Sequence, residues 1–278
     1  MDFDAAGTET EPRCPLCGGT RGRVCYVYDD QKIIRCQQCG LWRTCPRLSS
    51  QQLNAYYEQH HYSDEIRGAG QYENWRERNA DVWLANANLV RTEAQRHGLG
   101  NAPSLLDIGC GHGFFLEQCR VLGLAGRGID TSPHAVAYAR DELKLDVRHM
   151  PLDDLPASEH FDVITIWGVL EHVPDPLKTM IQVREHLNPN GMVWVMTPNT
   201  NALERVIKGA QYFNFLNKSH LTHFHRDTLK ALLEKAGLKN VRRYIHFGGG
   251  ARKGVGALAQ YAARCLCLGT ELRYIGER

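Results

Sequence analysis

The sequence predicts an α/β protein in which short buried strands alternate with helices, preceded by a small metal-binding module. Three stretches carry the prediction. Residues 105–113 read LLDIGCGHG and run directly into Phe114 and Phe115, so that an apolar strand meets a bend at Gly109, Gly111 and Gly113 and then a helix. Residues 126–130, GRGID, form a second short strand ending in Asp130, followed at once by the helix-start signal Ser132-Pro133. Residues 161–176, FDVITIWGVLEHVPDP, are an apolar run closed by Glu171, His172 and two prolines. These features recur at about the spacing of successive strand–helix units. With 278 residues, 43% of them apolar, the chain can fill a sizeable core.

In chain order, the first feature is a pair of C-x-x-C knuckles, Cys14/Cys17 and Cys36/Cys39, each followed by glycine and separated by eighteen residues. Two such bends direct four thiolates at one ion, the donor set of a structural Zn²⁺ site with no open position for substrate. Residues 24–28 and 32–35 are expected to pair as a hairpin around Asp29-Asp30. Cys25 and Cys45 lie outside this pattern and read as small apolar residues. Residues 1–50 carry seven basic and six acidic side chains, not the positive surface that phosphate binding needs, so nucleic acid is not the expected partner.

Residues 51–100 read as a helical cover, with one capped helix start near Ser49 or Ser50 and a longer helix over 74–97 that stops at Gly98. Tyr56, Tyr57, Tyr62, Tyr72 and Trp75 make this segment rich in aromatic rings. They suit packing onto the main domain.

The glycine bend of the first strand resembles that of a dinucleotide site, where a pyrophosphate rests on the helix N-terminus. The charge of Asp107, two residues before the first glycine, separates the two cases. A carboxylate there repels a pyrophosphate but suits a ligand carrying an ammonium and a sulfonium, namely S-adenosylmethionine. Asp130 can accept two hydrogen bonds from a ribose diol while also capping the helix that follows. Further on, helices are expected over 114–122, 133–143, 176–187 and 226–236, and strands over 146–149, 162–167, 192–197, 241–247 and 272–275. The turn at 151–155 should pass an adenine ring, with Leu152 packed on it and Asp153 near its exocyclic amine. Trp167, Gly168, Glu171 and His172 lie at the carboxyl end of the fourth strand, where open parallel sheets bind ligands, and His172 is the first candidate for a general base. His220, His223 and His225 lack a helical i, i+4 pair and a nearby carboxylate in sequence, so they do not read as a catalytic metal site.

Through D-x-G-x-G-x-G at 107–113, the acidic strand end at Asp130 and FDVI…LEHVPDP, the chain resembles the class I S-adenosylmethionine-dependent methyltransferases over roughly residues 101–278. The resemblance implies a Rossmann-like α/β fold: a seven-stranded, mostly parallel sheet with an antiparallel last strand inserted between the fifth and sixth, preceded here by a zinc ribbon and a helical cover. It also implies that a histidine just before a phenylalanine and a helix, here His223-Phe224, lies at the pocket edge, which makes His220 and His223 secondary candidates for a base or acceptor contact. A lid over the pocket lined by Tyr62 and Tyr72 is a further implication of the resemblance. A Cys₄ ribbon ahead of such a domain is similar to enzymes of sugar and secondary-metabolite pathways. The expected reaction is methyl transfer to a small-molecule acceptor, most readily at oxygen. An RNA or protein acceptor docked by the ribbon, or a non-catalytic binder of the same cofactor, are the other classes.

The expected division is a ribbon at 1–50, a helical linker or lid at 51–100 and the methyltransferase domain at 101–278. A net charge of +2, the absence of any ~18-residue apolar run and an acidic N-terminus unlike a signal peptide predict a cytoplasmic protein without a membrane partner. A helix within residues 248–267 offers a face to the sheet or, in a homodimer, to a second copy.

Overall fold

The structure, a computed structural model, describes residues 13–49, 51–53, 55–56, 71–245 and 265–278. Tyr57 and Tyr62, the side chains of Tyr72 and Trp75, and most of the 248–267 connection therefore lie outside the described residues, and with them the lid and the dimer face.

The ribbon begins with the expected hairpin, β1 (Gly22–Val27) against β2 (Lys32–Cys36), and adds an unanticipated third strand, β3 (Trp42–Cys45). All four residues of β3 are buried, although its sequence, WRTC, shows no alternation. The reason lies far along the chain, in a fourth strand that covers its open edge and is described below.

The helix α1 (Gln71–Arg96) buries Ala87, Val90 and Ala94 against the main sheet layer. That sheet starts with β4 (Leu105–Ile108), whose four residues are all buried. Side chains alternate across it: Leu105 enters one apolar cluster and Leu106 the other. The bend leads into α2 (Phe114–Val121), and then come β5 (Gly126–Asp130) and α3 (Pro133–Asp141), where Ser132 Oγ accepts from the Ala135 amide at 3.2 Å and Pro133 supplies a preset φ. After β6 (Asp146–His149) and β7 (Phe161–Trp167), α4 (Pro176–Glu185) starts in the same way, with Asp175 accepting from the Lys178 amide at 2.9 Å. The strand expected at 192–197 begins earlier as β8 (Leu187–Pro198), because Leu187 already pairs with Phe161 ahead of the Asn188–Gly191 turn.

Residues 199–225 hold two short helices, α5 (Leu203–Lys208) and α6 (Phe213–Leu216), then the two-residue strand β9 (Thr222–His223). α7 (Arg226–Lys235), β10 (Lys239–Arg243) and β11 (Glu271–Glu277) complete the order. The main sheet reads β10-β11-β8-β7-β4-β5-β6, with β4 to β8 parallel and β11 antiparallel to both of its neighbours. This is the Rossmann-like, seven-stranded arrangement that the sequence implies. Buried residues of α4 and α7, including Met180, Val183, Leu229 and Leu232, pack on one face, while α1, α2 and α3 cover the other. Among the described residues no helix is long and apolar enough to cross a membrane.

The second sheet reads β1-β2-β3-β9, so the ribbon takes its last strand from the segment after β8. Trp42 pairs with His223 and Arg43 with Thr222 in antiparallel register. Behind this seam Ile33, Trp42, Tyr212 and Phe215 form a shared apolar cluster, with Phe215 stacked on Trp42 at 5.7 Å between centroids.

Candidate active site

A cavity of about 890 Å³ opens at the carboxyl ends of β4, β5 and β7. That is large enough for a nucleoside-sized ligand together with a small second molecule. Gly109, Asp130, Leu152 and Asp153 line one part of it, and Trp167, Gly168, Val169 and His172 another.

The bend between β4 and α2 explains its own glycines. Gly109 has φ +68°, and a Cβ there would lie 2.4 Å from Val169 Cγ2, so only glycine lets the backbone reach the cavity beneath Val169. Gly113 has φ +79°, and a Cβ would meet Leu145 Cδ1 at 2.6 Å and Ala139 Cβ at 3.3 Å, so glycine lets the start of α2 pack close to α3 and to the loop that follows it. Gly111 donates its amide to Asp130 Oδ2 at 2.8 Å, and the Ser132 amide donates to Oδ1 at 2.8 Å. The carboxylate is thus locked in place with acceptor capacity left on both oxygens. Burial pushes the Asp130 carboxyl above its usual range, and these amide contacts oppose that push.

Asp107 departs from its expected role as an anion facing the ligand. It is only 2% exposed, is not among the residues lining the cavity, and accepts a hydrogen bond from Thr165 Oγ1 at 2.6 Å. Burial pushes its carboxyl up to about 8. Gly111 and Gly113 likewise shape the bend from behind the wall and do not line it.

Leu152 sits in a single turn of 3-10 helix on the cavity wall. Asp153 follows it but is already engaged, accepting from Lys178 Nζ at 2.9 Å and Gln182 Nε2 at 2.5 Å, contacts that hold its carboxyl low. Trp167 lines the opposite side, edge-on to Phe115.

Of the three candidate histidines, His172 and His220 meet ring to ring, and the ring of His223 lies edge-on to that of His220 at 6.3 Å between centroids. His172 lines the cavity, its Nδ1 2.9 Å from the Ser219 carbonyl, and its ring meets that of His220 edge-on at 4.6 Å between centroids. His220 is buried and does not line the cavity. His223 is buried in the seam, with Nε2 3.0 Å from Thr44 Oγ1, and burial pushes its pKa down to about 3. A ring so buried and so reluctant to take a proton joins the ribbon to the main domain, which corrects the expectation of a second base there. His225 lies apart, at the N-cap of α7 beside Gly40. Glu171, next to His172 in sequence and expected with it at the strand end, is not among the residues that line the cavity. It is 3% exposed, with burial pushing its carboxyl up to about 7, and its backbone carbonyl accepts from the Leu221 and Thr222 amides.

At the ribbon, Cys14 Sγ lies 3.4 Å from Cys39 Sγ and Cys17 Sγ 3.6 Å from Cys36 Sγ, and all four sulfurs lie within 4.8 Å of one another. A tetrahedral Zn²⁺ with sulfurs at about 2.3 Å sets them roughly 3.8 Å apart, so the four thiols fit that ion closely. The contact with Cys39 draws the Cys14 thiol down, while the same contact and burial push Cys39 up.

The fold and the bend define a methyltransferase domain. A family described as methyltransferase domain matches residues 69–243, and the chain belongs to it. It is 37% identical over 153 residues to the ubiquinone biosynthesis O-methyltransferase of Cereibacter sphaeroides, covering 50% of this chain and 61% of that one. To the ubiquinone biosynthesis O-methyltransferase of Xanthomonas axonopodis pv. citri it is 33% identical over 164 residues, covering 55% and 68%. Among solved structures it is similar to the plantazolicin methyltransferase in complex with SAH, with a TM-score of 0.57 at 16% identity, covering 81% of this chain and 94% of that one. It is also similar to an O-methyltransferase family protein from Burkholderia thailandensis, with a TM-score of 0.52 at 16% identity, covering 78% and 63%. At these identities the solved structures show the shared fold.

Proposed function

We propose that the protein moves a methyl group from S-adenosylmethionine to an oxygen of a small hydroxylated molecule. The observation that carries this is a single cavity reaching from Asp130, Leu152 and Asp153 to Trp167 and His172. The O-methyl transfer for which its relatives are named supports the choice of oxygen. The sugar or secondary-metabolite class of acceptor rests only on the likeness of the ribbon arrangement.

In this reading Asp130, pinned by two backbone amides, accepts from the ribose hydroxyls, and Leu152 packs on the adenine. S-adenosylmethionine supplies an activated methyl on a sulfonium, so the protein's task is alignment, a proton acceptor and exclusion of water. Because a carbonyl only accepts, the contact to Ser219 places the proton of neutral His172 on Nδ1, and Nε2 is the basic nitrogen. That nitrogen takes the proton of the acceptor hydroxyl. The four knuckle cysteines hold Zn²⁺ as a structural ion.

His172→Asn tests the reading in extracts supplied with isotopically labelled cofactor. Turnover of the compound that gains label should fall by about 10²–10⁴-fold, with cofactor affinity retained. Undiminished turnover would remove His172 as the base, and a wild-type protein that labels nothing while binding the cofactor would favour a non-catalytic role.

A further inference from the structure

We infer that Cys267 is a peroxide-reactive thiol and Cys265 its resolving partner, so that oxidation joins the two in a disulfide and loosens the start of the segment that braces the acceptor end. The chain has ten cysteines, and the fold sorts them. Four form the knuckle, Cys45 and Cys119 are buried, and burial pushes the thiols of Cys110 and Cys119 up, away from reactivity. Cys25 is half-buried on β1, its thiol donating to the Arg23 carbonyl at 3.5 Å. Cys265 is exposed and Cys267 half-buried, one residue apart in a turn ahead of β11.

Two observations single out Cys267. Arg243, the last residue of β10, donates from Nη1 to Cys267 Sγ and from Nη2 to the Cys265 carbonyl at 2.9 Å, so one guanidinium holds both members of the pair. A cation against a partly exposed sulfur favours the thiolate, the form that attacks a peroxide. The second observation is the backbone. Cys267 has φ +59°, in the left-handed region that favours glycine, so a cysteine stands there at a conformational cost that the contact of its sulfur helps to offset. Residues two apart in a turn have Cα atoms within the range of about 4.4–6.8 Å that a disulfide spans, which puts Cys265 within reach.

The oxidation runs in two steps. The Cys267 thiolate attacks one oxygen of hydrogen peroxide: an S–O bond forms, the O–O bond breaks and hydroxide leaves, giving a sulfenic acid. The Cys265 thiol then attacks that sulfur: the S–S bond forms, the S–O bond breaks, and the thiol proton leaves with the hydroxyl as water. The two sulfurs together lose two electrons, which the peroxide gains. The turn that carries them is an anchor. Asn199, fully buried, donates from Nδ2 to the Cys267 and Gly269 carbonyls at 2.8 and 2.7 Å, and the Leu203 amide donates to the Leu268 carbonyl at 2.9 Å. Asn199 follows β8 directly and opens the stretch that carries His220 and β9. A disulfide takes the sulfur from Arg243 and reshapes the turn, so the hold on Asn199 and Leu203 weakens. Neither the disulfide nor its effect on this segment rests on the methyl-transfer reading.

The test is graded hydrogen peroxide on the full-length protein, followed by alkylation of the remaining thiols, trypsin and mass spectrometry. Cleavage after Arg264 and Arg273 gives a peptide, residues 265–273, whose only cysteines are Cys265 and Cys267. That peptide should lose two hydrogens and escape alkylation at doses that leave Cys25 reduced. Arg243→Gln should slow the change about threefold or more, and Cys265→Ser should leave Cys267 as a sulfenic acid that dimedone captures. Hydrogen exchange at the Leu203 amide should rise in the oxidised wild type. A peptide that stays reduced while Cys25 reacts, or that oxidises equally fast in Arg243→Gln, overturns the reactive thiol, and unchanged exchange at Leu203 overturns its hold on the segment. The order of reaction in the wild type decides even if a variant fails to fold, and calorimetry with S-adenosylmethionine reports on the methyltransferase reading separately.

Discussion

The two ends of the cavity are built in opposite ways. The cofactor end is local: the bend at Gly109 to Gly113, Asp130 at the tip of the adjacent strand, and Leu152 just past the next are consecutive strand ends of one parallel sheet. The acceptor end is assembled from three distant pieces: the loop after β7 with Glu171 and His172, the segment carrying His220 and β9, and ribbon strand β3 with Thr44. The difference teaches that such a domain can keep its donor site fixed by fold alone and delegate acceptor geometry to whatever segments brace the far wall.

The sharpest way to break this comparison is at the ribbon. Cys36→Ser removes one thiolate of the knuckle and should disorder the sheet that β9 completes. Methyl transfer should then fall to background while S-adenosylmethionine affinity, read by calorimetry, stays within a few-fold of wild type. Equal loss of both would mean that the ribbon supports the whole domain and that the two ends are not separable.

A smaller effect sharpens the cofactor end. The Asp107 carboxyl is held up to about 8 in the folded protein by burial, against an ordinary value of 3.8. Its folded-state pKa is raised, so the stability linked to its proton is fully present below the ordinary value and drains away as pH climbs toward 8. Wild-type thermal stability should therefore decline between pH 5 and about 8 more steeply than that of Asp107→Asn, whose amide cannot ionise. Parallel melting profiles for the two proteins would show that the carboxyl is not held neutral.

The cofactor end was legible because its signals are short-range. Glycines are needed where φ is positive or a Cβ would collide, as at Gly109 and Gly113, and the strand–helix alternation follows from apolar runs with capping residues such as Ser132 and Asp175. The spacing of Cys14, Cys17, Cys36 and Cys39 was equally plain, since ligand geometry leaves few alternatives. Strand β3 was not, because Trp42 to Cys45 owe their burial to β9, some 180 residues later, and no local period records a partner so distant. The depth of Asp107 beneath the bend is hidden for a related reason: its identity shows in the sequence but its burial does not. The histidines show the limit most clearly, since His220 and His223 look alike in sequence, yet His220 meets the ring of His172 while His223 Nε2 lies 3.0 Å from Thr44 Oγ1 in the seam.

Everything said of the donor end turns on whether Asp130 grips an adenosyl ligand, which calorimetric titration with S-adenosylmethionine measures directly. Wild type should bind, and Asp130→Ala should bind about 100-fold more weakly or worse, given two charge-assisted hydrogen bonds worth about 1.5–3 kcal/mol each, with thermal unfolding confirming that the variant is folded. A folded Asp130→Ala with undiminished affinity, or a folded wild type that does not bind the ligand, would contradict the account.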